Sequence, residues 1–177
     1  MHWSWRIWKN EYILWKDVIL QSPEKGTPHI NLGNAYIRRN SLDKAEKEFL
    51  SALEVNERDA RAHSGLGAVY FQKGLLDEAI KKYKLITTGK PDFAPGHNNL
   101  GVVYMEKGLL DEAIKEFKTA MRLNPHFPDA YANLGLAYKR KGMLKEARDK
   151  FEKTLQLNPE YIDARKNLNE VIQLLHE

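Results

Sequence analysis

Apolar positions recur along this chain at helical spacing, and the whole arrangement returns every 34 residues. Early in each period, apolar or aromatic residues and one glycine fill the fourth, seventh, eighth and eleventh positions, a spacing that puts them on one face of an α-helix. The pairs at the centre of this face are Leu32-Gly33, Leu66-Gly67, Leu100-Gly101 and Leu134-Gly135, each followed by a tyrosine, namely Tyr36, Tyr70, Tyr104 and Tyr138. Each period therefore predicts a first helix whose Leu-Gly face lies close to a partner helix.

A second helix is predicted in each period, after a glycine or asparagine that suits the left-handed conformation at a helix end. The terminating residues are Asn40, Gly74, Gly108 and Gly142. The second helix carries a small residue where two helices touch, followed by an aromatic residue that fills the gap between units; these pairs are Ala45 and Phe49, Ala79 and Tyr83, Ala113 and Phe117, and Ala147 and Phe151. Three periods close with a proline that blocks continuation of the helix: Pro91, Pro125 and Pro159.

This 34-residue signature resembles the tetratricopeptide repeat (TPR) family. The resemblance implies an all-α fold, a right-handed α-α superhelix (TPR solenoid) of four repeats with flanking capping helices, that binds partner proteins. The expected boundaries are 1–25 for an N-terminal Trp-rich helix, 26–59, 60–93, 94–127 and 128–161 for repeats one to four, and 162–177 for a C-terminal capping helix. In that last helix Asn169 stands where the contact glycine is expected, as suits the polar end of a stack.

The N-terminal stretch predicts one amphipathic helix, with Trp8, Tyr12, Trp15 and Ile19 on a shared face. It fits the second helix of a degenerate repeat whose first helix is missing. The segment is then either a native N-terminal cap or the result of separating the domain from a longer protein. Its sequence is also similar to the junction in some multi-span membrane glycosyltransferases at which the repeats follow the last membrane helix. The matching residues are Trp8, Glu11, Leu14, Trp15, Asp17, Val18, Ser22 and Pro23. Two alternatives therefore stay open: a soluble domain excised from such a protein, and a homo-oligomer formed through Trp3, Trp5, Trp8 and Trp15.

Composition and motifs favour a binding module over an enzyme. The net charge of +4 comes without a dense basic stripe, so nucleic acid is not an expected partner, and the chain contains no cysteine. His29, His63 and His97 share one repeat position about 10 Å apart on successive helices, too far to ligate one metal ion, so we expect them to pack. We expect no catalytic residues, no metal and no cofactor.

No stretch approaches the roughly 18 apolar residues of a membrane span, so we expect a soluble chain. The cytoplasm is favoured, with attachment to a membrane protein in the parent chain as the alternative.

The face of each first helix opposite the Leu-Gly face is the expected binding surface. Its sixth position reads asparagine in four of five periods, and a carboxamide offers the donors and acceptor that a peptide backbone needs. A similar ladder occurs in the repeat region of the O-linked N-acetylglucosamine transferase. The predicted ligand-binding residues are Asn31, Asn34, Arg38, Phe71, Asn99, Met105, Asn133, Arg140 and Asn167.

Some chaperone-binding TPR proteins clamp a peptide carboxylate with lysine and asparagine. Asn34 fits one clamp position here, but Ile30 occupies the place of the lysine. We therefore expect a non-catalytic scaffold that binds an extended peptide or partner protein in a concave groove, without a clamp of that kind.

Overall fold

The computed structural model describes residues 2–22 and 25–176, with side chains from Tyr12 onward, and all regular secondary structure in this part is α-helical. The helices are α1 (His2–Gln21), α2 (Gly26–Arg38), α3 (Leu42–Val55), α4 (Ala60–Gln72), α5 (Leu76–Gly89), α6 (Ala94–Glu106), α7 (Leu110–Leu123), α8 (Pro128–Arg140), α9 (Leu144–Leu157) and α10 (Ile162–His176). The predicted all-α class is confirmed. The side chains of Trp3, Trp5 and Trp8, and Pro23, lie outside the described residues.

The chain divides into two compact units, Met1–Ile86 and Thr87–Glu177. Within each unit, helices adjacent in the chain pack together, and the first helices also contact one another: α2 with α4 in the first unit, and α6 with α8 and α8 with α10 in the second. Within residues 2–22 and 25–176, no helix combines the length and apolar character needed to cross a bilayer.

The contact glycines are required because an aromatic ring of the second helix lies directly on the first helix. A Cβ added to Gly101 would lie 2.6 Å from the ring of Phe117, and one added to Gly135 would lie 2.7 Å from Phe151. Gly33 and Gly67 meet Phe49 and Tyr83 in the same way, at 2.9 and 2.7 Å. Real Cβ atoms do not approach a ring so closely, so the predicted steric role of these glycines is confirmed.

The turns between first and second helices also have the predicted conformation. Gly74, Gly108 and Gly142 have φ angles of 75°, 81° and 75°, and Asn40 takes the same left-handed conformation with φ of 54°. Because asparagine tolerates this region better than other non-glycine residues, the first repeat keeps the turn without glycine.

Two of the histidines at the shared repeat position connect the two helices of their hairpin. His97 Nδ1 lies 2.6 Å from Glu116 of the second helix, while its Nε2 lies 3.1 Å from the carbonyl oxygen of Pro91, six residues earlier. His29 makes the same contact with Glu48 at 2.8 Å. No group of three potential metal-ligating side chains occurs in the described part of the chain.

His63 lacks the acidic partner of its two counterparts. Its Nε2 lies 2.8 Å from the carbonyl oxygen of Glu57, but its buried Nδ1 has no hydrogen-bond partner. Lys82 occupies the position that holds Glu48 and Glu116 in the neighbouring repeats. The second repeat therefore keeps the histidine bond to the preceding turn and lacks the one to its own second helix.

The first prediction concerns the ring contact. Gly101→Leu should lower the free energy of unfolding by about 1–3 kcal/mol, because the new side chain would overlap the buried Phe117 ring. Urea unfolding followed by circular dichroism measures the change. Gly89→Ala is the control, since nothing lies within 4 Å of a Cβ added there. Equal stability of Gly101→Leu and the wild type would contradict the contact.

The second prediction concerns His63. Lys82→Glu should raise the free energy of unfolding by about 0.5–1 kcal/mol, because the glutamate would supply the partner that His63 Nδ1 lacks. Thermal unfolding at neutral pH measures it. In the matched control Lys150→Glu the repeat has Tyr131 in place of the histidine, so no gain is expected there. A loss of stability in Lys82→Glu would show that the pairing does not form.

The third prediction concerns alkaline pH. Burial raises the pKa of Tyr83 from 10.0 to about 12, so the folded state holds this proton more tightly than the unfolded state. Its contribution to stability is complete below pH 10 and is lost as the pH rises towards about 12. At about pH 11 the free energy of unfolding should have lost about 1 kcal/mol through Tyr83 alone. The Tyr83→Phe variant should lack this part of the loss.

Urea unfolding at about pH 8 and about pH 11 tests this dependence. Tyr131→Phe is the control, because it removes a hydroxyl from a less buried ring. If Tyr83→Phe loses as much stability at the higher pH as the wild type does, the burial argument fails.

Candidate functional site

The strongest candidate surface in the second unit is the α6/α8 face, formed by Asn99 and Val102 of α6 with Asn133 and Leu136 of α8. All four side chains are half-buried, so each is partly open to solvent. The asparagines lie one turn from the apolar residues on the same helix face, because the separation in each helix is three residues. The face thus places a row of amides beside a row of apolar side chains.

Asn99 is the predicted ladder residue with the most open hydrogen-bonding capacity on this face. Its side chain makes no hydrogen bond within the described residues, although it is half-buried. A carboxamide has two N–H donors and one carbonyl acceptor. All of them are therefore open to an incoming peptide group.

Asn133 is in part a contact between helices. Its Nδ2 donates to Oδ1 of Asn98 over 3.0 Å, and Asn98 is only 7% exposed. This bond satisfies the buried carbonyl oxygen of Asn98 and fixes the Asn133 amide at the surface. Within the described residues the Asn133 carbonyl oxygen and its second N–H make no further hydrogen bond.

Asn167 contributes to the packing of α10 more than to a binding surface. Its Oδ1 accepts from Lys139 Nζ over 2.9 Å, and its Nδ2 donates to the carbonyl oxygen of Asp163 over 2.8 Å. Lys139 also pairs with Glu170 and thereby lowers the pKa of that carboxyl group. The Asn167 amide is thus committed to contacts that join α8 to α10.

Of the predicted binding residues Met105 and Arg140, the first is buried and the second is exposed. The Met105 side chain is only 6% exposed, so the prediction that it adds apolar surface is wrong. Its backbone carbonyl accepts from Arg140 Nη1 over 3.0 Å, and Arg140 Nη2 lies 3.7 Å from Glu106. Arg140 keeps 49% of its side chain exposed, with its charge already partnered at the edge of the face.

The predicted residues of the first unit do not form a continuous ladder. Asn31 and Phe71 are half-buried, and Asn34 and Arg38 are exposed. The ladder is interrupted at Gly65, where a Cβ would lie 2.3 Å from the Phe49 ring. The interruption therefore has a steric cause that the repeat pattern does not reveal.

Two residues that support this surface were missed by sequence reasoning. Asn98 fixes Asn133, and Lys139 joins α8 to α10 through Asn167 and Glu170. The consecutive asparagines Asn98 and Asn99 are a visible signal, but the pattern places only Asn99 on the open face and assigns no partner to Asn98, because adjacent helix residues point in different directions.

Comparison with known proteins identifies the repeats. A family model described as a TPR repeat matches residues 103–142, and two described as tetratricopeptide repeats match residues 30–95 and 128–161. The chain belongs to the tetratricopeptide repeat family. No curated protein sequence matches it significantly.

Solved structures of other proteins share its fold. TTC0263, a thermophilic TPR protein of Thermus thermophilus, is 20% identical with a TM-score of 0.80, and the match covers 97% of this chain and 93% of that one. PilF of Pseudomonas aeruginosa is 24% identical with a TM-score of 0.80, covering 85% of this chain and 69% of its own. The first TPR of Spaghetti (RPAP3), solved with the HSP90 peptide SRMEEVD, is 27% identical with a TM-score of 0.65 over 67% of this chain and 94% of its own.

A fourth prediction follows from the interrupted ladder. Gly65→Asn would complete the row of asparagines in sequence, yet it should lower the free energy of unfolding by about 1–3 kcal/mol, because Phe49 fills the space. Urea unfolding tests it, with Ser64→Asn as the control at the adjacent, half-buried position. A stable Gly65→Asn variant would mean that the ring can move aside.

Proposed function

We propose that this chain is a non-catalytic interaction scaffold that binds an extended peptide segment of a partner protein on the α6/α8 face. The observation that carries the proposal is the half-buried amide of Asn99, which makes no side-chain hydrogen bond within the described residues and lies beside the apolar row. A half-buried polar group gains most from a partner that also covers the apolar surface next to it, because the new hydrogen bond is then shielded from water.

The chemistry of this face suits a peptide backbone. Asn99 offers both donors and its acceptor, and Asn133 keeps one donor and its acceptor after bonding Asn98. An extended segment presents alternating N–H and C=O groups with side chains pointing to opposite sides. Amides that bind its backbone therefore leave alternate side chains to meet Val102 and Leu136.

The charges around the face argue for a neutral segment. Arg140 is bonded to the Met105 carbonyl and lies near Glu106, while Lys139 is paired with Glu170. An acidic ligand would have to compete with these internal partners. In the first unit, Ile30 is 3% exposed at the clamp position where lysine is expected, so that unit also lacks a cation for a peptide carboxylate there.

The similar structures support the class of function and leave the partner open. The RPAP3 repeat domain was solved with a bound peptide, so a TPR domain of comparable size can hold a peptide segment. That peptide is acidic at its C-terminal end, whereas the surface here is internally neutralised. We therefore infer a different ligand, with small or medium apolar side chains and little charge.

Selection from a library of displayed random peptides against the full chain tests the proposal, followed by titration of the selected peptide by fluorescence anisotropy. Asn99→Ala should weaken binding about fivefold to thirtyfold, the effect of losing one or two neutral hydrogen bonds. Its stability should stay close to wild type, because this side chain makes no hydrogen bond within the described residues.

The control variant is Gln156→Ala, an exposed polar substitution on α9. It should bind as the wild type does. Unchanged affinity of Asn99→Ala, or a selected peptide rich in acidic residues, would contradict the proposal.

A further inference from the structure

Within each unit, an ion pair joins the end of a first helix to the second helix before it. In the first unit Lys73, directly after α4, lies 2.6 Å from Asp43 of α3. In the second unit Lys141, directly after α8, pairs in the same way with Asp111 of α7. A tyrosine precedes each of these lysines by three residues, and in the first unit this residue, Tyr70, packs against the core. Such a joint therefore contains a base on the first helix, an acid on the second and an aromatic ring.

The α9/α10 joint, where the end of α10 meets the start of α9, has a different composition. At the corresponding positions, 34 residues further along the chain, Lys145 replaces the aspartate, Leu175 replaces the lysine and Ile172 replaces the tyrosine. The positive charge is thus on the second helix, and the facing helix end has apolar side chains. Lys145 is exposed and makes no hydrogen bond or ion pair within the described residues. This joint therefore has a base without the acid that the other joints supply.

A cavity of about 240 Å³ lies in the α9/α10 joint. Lys145 and Arg148 of α9 line one side, and Ile172, Leu175 and His176 of α10 line the other. Pockets that hold a drug-sized ligand usually measure about 300–1,000 Å³. This cavity is smaller, so it suits a group of about the size of one amino-acid residue.

Arg148 adds a second positive charge to the cavity wall. Its Nη2 lies 3.4 Å from Asp149 and its Nε lies 3.7 Å from Glu152, both of them exposed carboxylates on the same helix. The second distance is too long for a hydrogen bond, and the buried Nε has no other partner. Surface pairs of this kind are weak. Since Arg148 Nη1 also makes no hydrogen bond within the described residues, the guanidinium group keeps capacity for an anion.

We propose that the α9/α10 joint binds a carboxylate that carries a short apolar group. The carboxylate pairs with Lys145 in place of the missing aspartate, and the apolar group packs on Ile172 and Leu175 in place of the missing ring. An inorganic anion would leave the apolar wall exposed to water, and an uncharged apolar group would cover Lys145 without pairing it. The C-terminal residue of a partner protein and a free small acid both have this chemistry. The site shares no residue with the α6/α8 face.

Three small probes, added to the nitrogen-15-labelled full chain, test the proposal by the shifts of its backbone amide signals. N-acetyl-leucine should shift signals at the start of α9 and the end of α10, with a Kd of about 1 mM for a ligand of this size. N-acetyl-leucine amide, which lacks the carboxylate, should bind at least about tenfold more weakly. The third probe, 4-methylpentanoate, has the acid and the apolar group without the peptide group. Equal affinity for it assigns the site to free acids, and weaker binding assigns it to protein C-termini; both results support the proposal.

The double variant Lys145→Asp with Leu175→Lys restores the ion pair of the other joints. It should bind N-acetyl-leucine at least about tenfold more weakly, and it should unfold at the wild-type temperature or above. Ile172→Tyr, which fills the cavity with the ring found in the other joints, should also block binding. Lys115→Gln is the control, because it changes the net charge by the same one unit at an exposed position of α7 outside the cavity.

Four results would each overturn the proposal: no saturable shift with N-acetyl-leucine, equal binding of its amide, unchanged affinity of both joint variants, or shifts centred outside the α9/α10 joint. A peptide selected for the α6/α8 face should bind the double variant as it binds the wild type. Failure of that face would leave the joint result intact, so the two proposals are tested separately.

Discussion

The contact between an aromatic ring and a glycine backbone is the constraint on which the rest of the structure depends. In each complete repeat the ring of the second helix lies closer to the first helix than any side chain would allow, with Phe117 against Gly101 as a clear case. Such close packing fixes the distance and rotation of the two helices, since interiors tolerate little change in volume. Once the rotation is fixed, the opposite side of every first helix must face away from the hairpin. The candidate binding residues occupy that side because the ring contact holds them there.

The same constraint decides which amides are open to a ligand. Where first helices of neighbouring repeats approach, a polar side chain meets another one, as Asn133 meets Asn98, or becomes part of the end of the stack, as Asn167 does with Lys139. At Gly65 the Phe49 ring lies closer still, 2.3 Å from where a Cβ would be, so an added side chain would have to displace the ring. The asparagines recur regularly in the sequence, but they therefore differ in how many of their hydrogen-bonding groups are available to a ligand. Asn99 keeps all of its hydrogen-bonding groups, Asn133 keeps two of three, and Asn167 has no comparable freedom.

Most of the fold could be predicted from the sequence because its determinants are local and periodic. The left-handed turns at Asn40 and Gly74 and the contact glycines each follow from one residue at one position. The finer features of the site could not be predicted, because they depend on which neighbour a side chain meets. Met105 has the residue type of a surface anchor but is buried, and Trp15 packs inward although its helix is rich in aromatic residues. A repeat position gives the helix face on which a side chain lies, but it does not identify the residue of the neighbouring helix that the side chain meets, as the bond of Asn98 to Asn133 shows.

The most direct test of this account is a nitrogen-15 correlation spectrum of the side-chain amides, recorded while a selected neutral peptide is added. The account predicts large shifts of the Asn99 and Asn133 side-chain signals and little change at Asn167, whose amide is held by Lys139 and Asp163. Saturating shifts at Asn167 or on the second helices, with Asn99 unmoved, would contradict the claim that ring packing presents these two amides to a partner.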